Sequence, residues 1–196
     1  MARHHPKRPF LPFPADIQRE YFASWITGLT DGEGCFPLLC LISKKSGYRK
    51  YHATFKITLR ADDCYGLELV RSFFQCGTIC DQKHKKSLPE AWKPAKTFLV
   101  SNVDALVSKI IPHFERYPLL LKKSRDFEIW KKAVVLLRRV KYRCPIKTYH
   151  GAYRWTEDDK KEFMAYFHAI RAGRVYNASV VPPSLPPPPS LFDGLP

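Results

Sequence analysis

The stretch Tyr21–Phe36, YFASWITGLTDGEGCF, constrains the fold more than any other part of the chain. Ser24, Gly28 and Gly32 recur at every fourth position, so on an α-helix they form one stripe of small residues. A stripe of that kind lets a second backbone approach closely. Trp25, Ile26 and Leu29 flank it and predict an apolar side turned to a core. Gly34 is expected to end the helix in the left-handed conformation that glycine adopts at little cost. Two acids, Asp31 and Glu33, stand in the turn before that stop. The helix dipole is already negative there, so carboxylates oppose local stability and point to a cation that binds them, such as a metal ion.

The run ITGLTDGEGCF resembles the signature of the LAGLIDADG homing endonucleases. Ile26 to Gly34 stand in for its letters in order, with Gly28, Leu29, Asp31 and Gly34 identical and Glu33 an acidic variant at the metal-binding position. A single copy is present, so the chain is similar to the single-motif branch, whose members are homodimers. The resemblance implies an α+β fold of order αββαββα: a one-sided, four-stranded antiparallel sheet covered by helices, here with an extra C-terminal helix. It implies a homodimeric, site-specific DNA endonuclease that makes a metal-dependent double-strand break at a long pseudo-palindromic site. Two other functions fit the same fold: an intron RNA maturase, which binds RNA without cutting, and a DNA-binding regulator that has lost catalysis. Retention of Glu33 together with Lys122 favours the enzyme.

Charge points the same way. Lys and Arg number 33 against 18 Asp and Glu, a net charge of +15, which predicts a polyanionic partner, nucleic acid before anionic membrane. No run approaches the roughly 18 apolar residues of a spanning helix. The start, MARHHPKRPFLPFP, is broken by prolines and has no apolar signal core, so the expected location is intracellular, in a bacterial cytoplasm or an organelle. The six cysteines form no CxxC pair and are read as reduced thiols. Cys76, Cys80 and His84 lack a fourth ligand at finger spacing and are not assigned to zinc.

The 196 residues divide into a proline-rich basic arm (1–15), an endonuclease-like domain (16–140), a helical extension (141–175) and a proline-rich tail (176–196). The first helix is expected from Asp16, as N-cap, to Glu33, and a first strand from Cys35 to Ser43. Between Tyr51 and Arg60 apolar and polar residues alternate, which predicts a strand with one face in the core and His52, Thr54, Lys56, Thr58 and Arg60 on the other. A helix opening at Ala61-Asp62-Asp63 should stop at Gly77. Strands follow at 78–83 and 96–101, then a helix capped by Ser101 or Asn102 and a long helix over 118–139. Thr156 with Asp159 forms a capping-box variant for a last helix bearing Phe163, Tyr166, Phe167 and Ile170.

Chemistry is assigned accordingly. Hydrolysis of a phosphodiester needs an activated water and charge neutralisation, which Mg²⁺ supplies when held by hard oxygens. Glu33 is the expected ligand, with the Gly32 carbonyl beside it. The resemblance matches Lys122 to the family's active-site lysine, with Lys123 next, and Arg60 takes the place of a polar residue missing at Leu59. Ser24, Gly28 and Gly32 form the expected dimer interface, with Asp31 orienting the turn. Double-stranded DNA would be read by His52, Thr54, Lys56, Thr58, Arg60, Gln82 and Lys96, with Lys44, Lys45, Arg49 and Lys50 in the hairpin turn. Strands of about 9 residues span some 9 base pairs per subunit, or about 18 for a dimer.

Overall fold

The computed structural model describes residues 9–42, 47, 49–82, 94–143 and 155–173. Lys44, Lys45, Cys144, the loop 83–93 with His84, and the tail 176–196 lie outside them. In chain order the elements are α1 (Arg19–Glu33), β1 (Gly34–Cys35), β2 (Leu38–Ile42), β3 (Arg49–Ala53), β4 (Phe55–Arg60), α2 (Cys64–Phe74), β5 (Thr78–Asp81) and β6 (Ala95–Val100). Then come α3 (Val103–Ala105), a π-helical turn (Leu106–Ile110), α4 (Ile111–Arg116), α5 (Lys123–Arg143) and α6 (Glu157–Ala172).

The main sheet is antiparallel with strand order β1-β4-β6-β5. Its covered face is built from every second residue: Phe55 and Ile57 of β4 lie opposite Val100 and Phe98 of β6, and all four are buried. Rings close that core. Phe36 sits 5.3 Å from Phe55, 5.5 Å from Phe114 and 5.2 Å from Trp130, so β4, α4 and α5 meet on one aromatic cluster. No helix among the described residues is long and apolar enough to cross a membrane.

The first hairpin is not two continuous strands. β1 pairs with β4 and β2 with β3, and the register is the same on both sides of the break: Cys35 opposite Lys56, Leu38 opposite Ala53. The interruption falls where Pro37 faces Thr54. Proline has no N–H to give to the ladder, and only the Thr54 N–H to Pro37 O bond, 3.0 Å, crosses the gap. β2 and β3 therefore form a separate two-stranded ribbon.

Helix ends depart from expectation, and the long helix expected over 118–139 runs from Lys123 to Arg143. α1 begins at Arg19 with Gln18 at the cap, not at Asp16, because residues 14–17 are held in a turn by the Ile17 N–H to Pro14 O bond. Gly34 is extended (φ −76°, ψ 162°), not left-handed. Its missing side chain answers to a close approach instead: a Cβ there would stand 2.4 Å from Thr30 Cγ2 and 2.6 Å from Thr30 O. α2 stops at Phe74, with Gln75 in the left-handed region before Gly77 at φ +83°. Asn102 does cap α3, accepting from the N–H groups of Asp104 and Ala105, and the Thr156–Asp159 capping box is formed in full. Residues 9–14 run along α1 and α2, where Phe13 packs 5.1 Å from Phe22 and Arg71 donates to the Pro9 carbonyl.

Candidate metal centre and nucleic-acid face

The last turn of α1 is tied to the segment 120–123 by a reciprocal clamp. The Asp31 carboxylate accepts the backbone N–H groups of Leu120 (2.8 Å) and Leu121 (3.3 Å). In return Lys123 Nζ donates to the carbonyls of Asp31 (2.9 Å) and Gly32 (2.5 Å). A cation at a helix C-terminus meets the negative end of the dipole, so Lys123 offsets the acids that oppose it. Asp31 is thereby committed within the subunit. Glu33 is different: it is exposed, and among the described residues nothing bonds to its carboxylate.

The oxygen donors here suit a hard dication such as Mg²⁺. Glu33 fits that role without rearrangement. The Gly32 carbonyl is engaged by the Lys123 ammonium, with which a dication would have to compete. No group of three or more His, Cys, Asp or Glu gathers anywhere among the described residues. At this helix end one chain therefore offers one carboxylate that is not engaged among the described residues, that of Glu33.

Lys122 is exposed at the end of the same segment, one residue before α5. Lys123, the next residue, turns its ammonium onto the α1 carbonyls. Arg60 bonds Asp62 through Nε at 3.0 Å. That pair is solvent-exposed, so a phosphate can compete for the guanidinium.

Strand register decides which residues share the open face. Directly opposed residues in an antiparallel pair point to the same side. Lys56 lies between Cys35 and Leu99, and Thr58 lies opposite Thr97, with their hydroxyls 2.9 Å apart. Arg60 lies opposite Ala95, whose carbonyl accepts the Gln82 N–H. On the ribbon, His52 faces Leu39 and Lys50 faces Leu41. Burial and the neighbouring Lys50 cation push the His52 imidazole below its ordinary value. Lys50, His52, Lys56, Thr58, Arg60 and Gln82 are thus brought to one open face, with Leu39 and Leu41 among them as apolar contacts.

Three expected members of that face are elsewhere. Lys96 lies opposite Leu59 on the helix-covered side of the sheet, with Asp81 3.7 Å away. Arg49 shares the helix side of β3 with the buried Tyr51, and its charge helps to lower the Glu157 carboxyl of α6, after the larger effect of Lys160. Thr54 is buried in the strand break, and its hydroxyl has no partner among the described residues.

The outer side of α1 is bare. Ser24, Gly28 and Gly32 are exposed, and a Cβ added to either glycine would meet nothing within 4 Å. Tyr21 beside them is 70% exposed. Trp25 is partly covered by stacking on Phe22, with centroids 5.0 Å apart, rather than by entering the core.

Fold and site together define a class: an α+β chain that sets an acid-tipped helix beside an open, basic sheet face. Residues 26–134, more than half of the chain, match the family model described as LAGLIDADG endonuclease. The chain belongs to that family. It is 28% identical over 120 residues to the homing endonuclease I-ApeII of Aeropyrum pernix, spanning 61% of this chain and 66% of that one. It is 29% identical over 119 residues to a probable intron-encoded endonuclease of Schizosaccharomyces pombe, and 34% over 118 residues to an uncharacterised protein in ND4 intron 1 of Podospora anserina. The matched regions span 59% and 58% of this chain but only 28% and 24% of those two relatives. Among solved structures, I-SmaMI bound to cleaved DNA superposes at TM-score 0.60 with 22% identity, over 78% of this chain and 45% of that one. The homing endonuclease I-TnaI superposes at 0.57 with 20% identity, over 81% of this chain and 96% of that one. At such identities the superpositions establish the shared fold.

Two features escaped sequence reasoning. The placing of Lys123 on the α1 carbonyls carries no local signal, because 91 residues separate Lys123 from Gly32. The side of the sheet taken by Lys96 depends on its partner Leu59, which pattern within one strand does not reveal.

Proposed function

We propose that two copies of this chain pair through the outer face of α1 and act as a site-specific, Mg²⁺-dependent DNA endonuclease encoded within an intron. The carrying observation is the contrast at the helix end: Asp31 and Lys123 fix it, while Glu33 stays exposed and without a partner among the described residues. A two-fold axis along the Ser24–Gly28–Gly32 stripe brings two such ends together. A bound dication there would polarise the phosphate and supply an ionised water. The chain's own residues do the rest. Glu33 holds the site's negative charge in place, and Asp31 keeps that carboxylate at a fixed height. Lys50, His52, Lys56, Thr58 and Gln82 position the duplex on the sheet, and Arg60 gives up Asp62 for a phosphate. Lys122 stands where a cation meets charge developing on the leaving oxygen. Symmetry predicts a pseudo-palindromic target of about 18 base pairs. The place of action is the intracellular compartment that holds the host gene.

The test is cleavage of the intronless host junction in Mg²⁺ by the wild-type chain and by Glu33→Gln. The substitution keeps the shape and removes the charge, and should cost ~10³-fold or more in rate. Duplex binding in Ca²⁺ should persist. Cutting at near wild-type rate by Glu33→Gln would remove Glu33 from the reaction.

A further inference from the structure

The family model ends at residue 134, before α6. Yet α6 does not hang from the domain. Trp155, just ahead of it, and Phe163 within it enclose Tyr51 of β3, with ring centroids 4.4 Å and 5.0 Å away. The helix is in turn bound to α5. Asp159, only 3% exposed, closes the capping box and also accepts from Arg143 at 2.7 Å and from Arg139 at 3.3 Å. Arg143 first, then the Thr156 hydroxyl and N–H, hold its carboxyl far below the ordinary range. α6 is thus a rigid surface anchored on α5.

What it touches is the part of the sheet that lies outside the main ladder. The β2–β3 ribbon makes no ladder with β4 or β6, and one backbone bond crosses the Pro37–Thr54 break. A two-stranded ribbon is marginal in water without a packing surface. Its other face carries Lys50 and His52 outward. The angle between the ribbon's readout face and that of β4 is therefore set from behind.

We infer that Trp155 and Phe163 are positioning residues: they fix the ribbon through Tyr51 and so determine which bases at the outer end of each half-site are read. This rests on the proposed DNA reading. Lys56 and Thr58, on β4 inside the main sheet, serve the inner base pairs and do not depend on the brace.

Two measurements on the full chain test it, with Trp155→Ala and the conservative Trp155→Phe. Amide exchange needs no DNA. In Trp155→Ala it should quicken roughly tenfold at 38–42 and 49–53, about the size of one lost aromatic contact, and stay unchanged in β4 and β6. The second probe is a library of randomised duplexes selected by the wild-type chain in Ca²⁺. Trp155→Ala should lose base preference about tenfold at the outer positions alone, and Trp155→Phe should restore it. Unchanged exchange in the ribbon overturns the brace. Faster exchange with an even loss at every base position overturns its part in specificity. If the wild-type chain selects no duplex, the proposed DNA reading fails, and the exchange result still decides whether α6 braces the ribbon.

Discussion

On its inner side α1 presents Phe22, Ala23, Ile26, Thr27 and Thr30, all buried. On its outer side it presents Tyr21, Ser24, Gly28 and Gly32, all exposed. Most of the inner residues are large or branched, and the buried Thr30 hydroxyl has no hydrogen-bond partner among the described residues. Thr27 donates to the Tyr117 carbonyl at 3.1 Å and lies 3.4 Å from His113 Nε2, amid the rings of Phe73, Phe74 and Phe114. Beyond Tyr21, the small outer residues Ser24, Gly28 and Gly32 make a smooth surface, and nothing lies within 4 Å of a Cβ at either glycine. One helix thus does two jobs, and the same amino-acid positions cannot serve both. A glycine costs about 1 kcal/mol against alanine in a helix interior, and on the outer side no close approach among the described residues calls for one.

The inner side can be broken by acid. Burial pushes the His113 imidazole down to about 4 from an ordinary 6.5. The unfolded chain therefore takes up a proton that the folded chain refuses. Stability is full above pH 6.5 and falls as pH drops toward 4, by about 3 kcal/mol in all. His52 is shifted in the same direction, so the comparison is with His113→Phe, which should flatten this part of the profile. Denaturant unfolding of both proteins at pH 7 and pH 4.5 measures it. An equal acid loss in the two would remove His113 from the inner side's account.

The join between the two sides can be sharpened with Asp31→Ala. The change leaves the Leu120 and Leu121 N–H groups without their acceptor and should cost ~2 kcal/mol. It should also slow cleavage more than it weakens duplex binding, since a small displacement of Glu33 matters most in the transition state. Thermal unfolding and single-turnover rates check the two effects. A loss of binding alone would place Asp31 on the DNA side instead.

The parts of the chain legible in sequence are those governed by local pattern. The alternation from Tyr51 to Arg60 reads as one strand and covers most of β3 and all of β4, because inward and outward residues differ in kind. Asn102 and the Thr156–Asp159 pair marked helix starts because the bonds they make span two or three residues. The strand break was hidden, although Pro37 was in view, because its effect depends on Thr54 standing opposite. Gly34 was read as a turn former, whereas the demand on it is the closeness of Thr30. Of the candidate site, the placing of Glu33 at the helix end and of Lys56 on the open face was legible because each depends on position within one element. Lys96 and Arg49 were misplaced because a charge's side of the sheet is settled by register with a neighbour. Lys122 and Lys123 are indistinguishable by local position, and the contact of the Lys123 ammonium with the α1 carbonyls depends on the fold.

If the bare side of α1 is an interface between twins, Gly28→Leu should separate them. Nothing lies within 4 Å of a Cβ at Gly28, so the subunit has room for the leucine. Replacing an exposed helical glycine should hold or raise the melting temperature, by up to about 1 kcal/mol in stability. In the dimer the same leucine enters twice, at overpacking costs of roughly 1–3 kcal/mol each. Sedimentation equilibrium beside circular dichroism reads both effects on one sample. The account predicts a wild-type dimer and a Gly28→Leu chain that is fully folded, monomeric and unable to cut both strands. A Gly28→Leu protein that remains a dimer and cuts at the wild-type rate would contradict it.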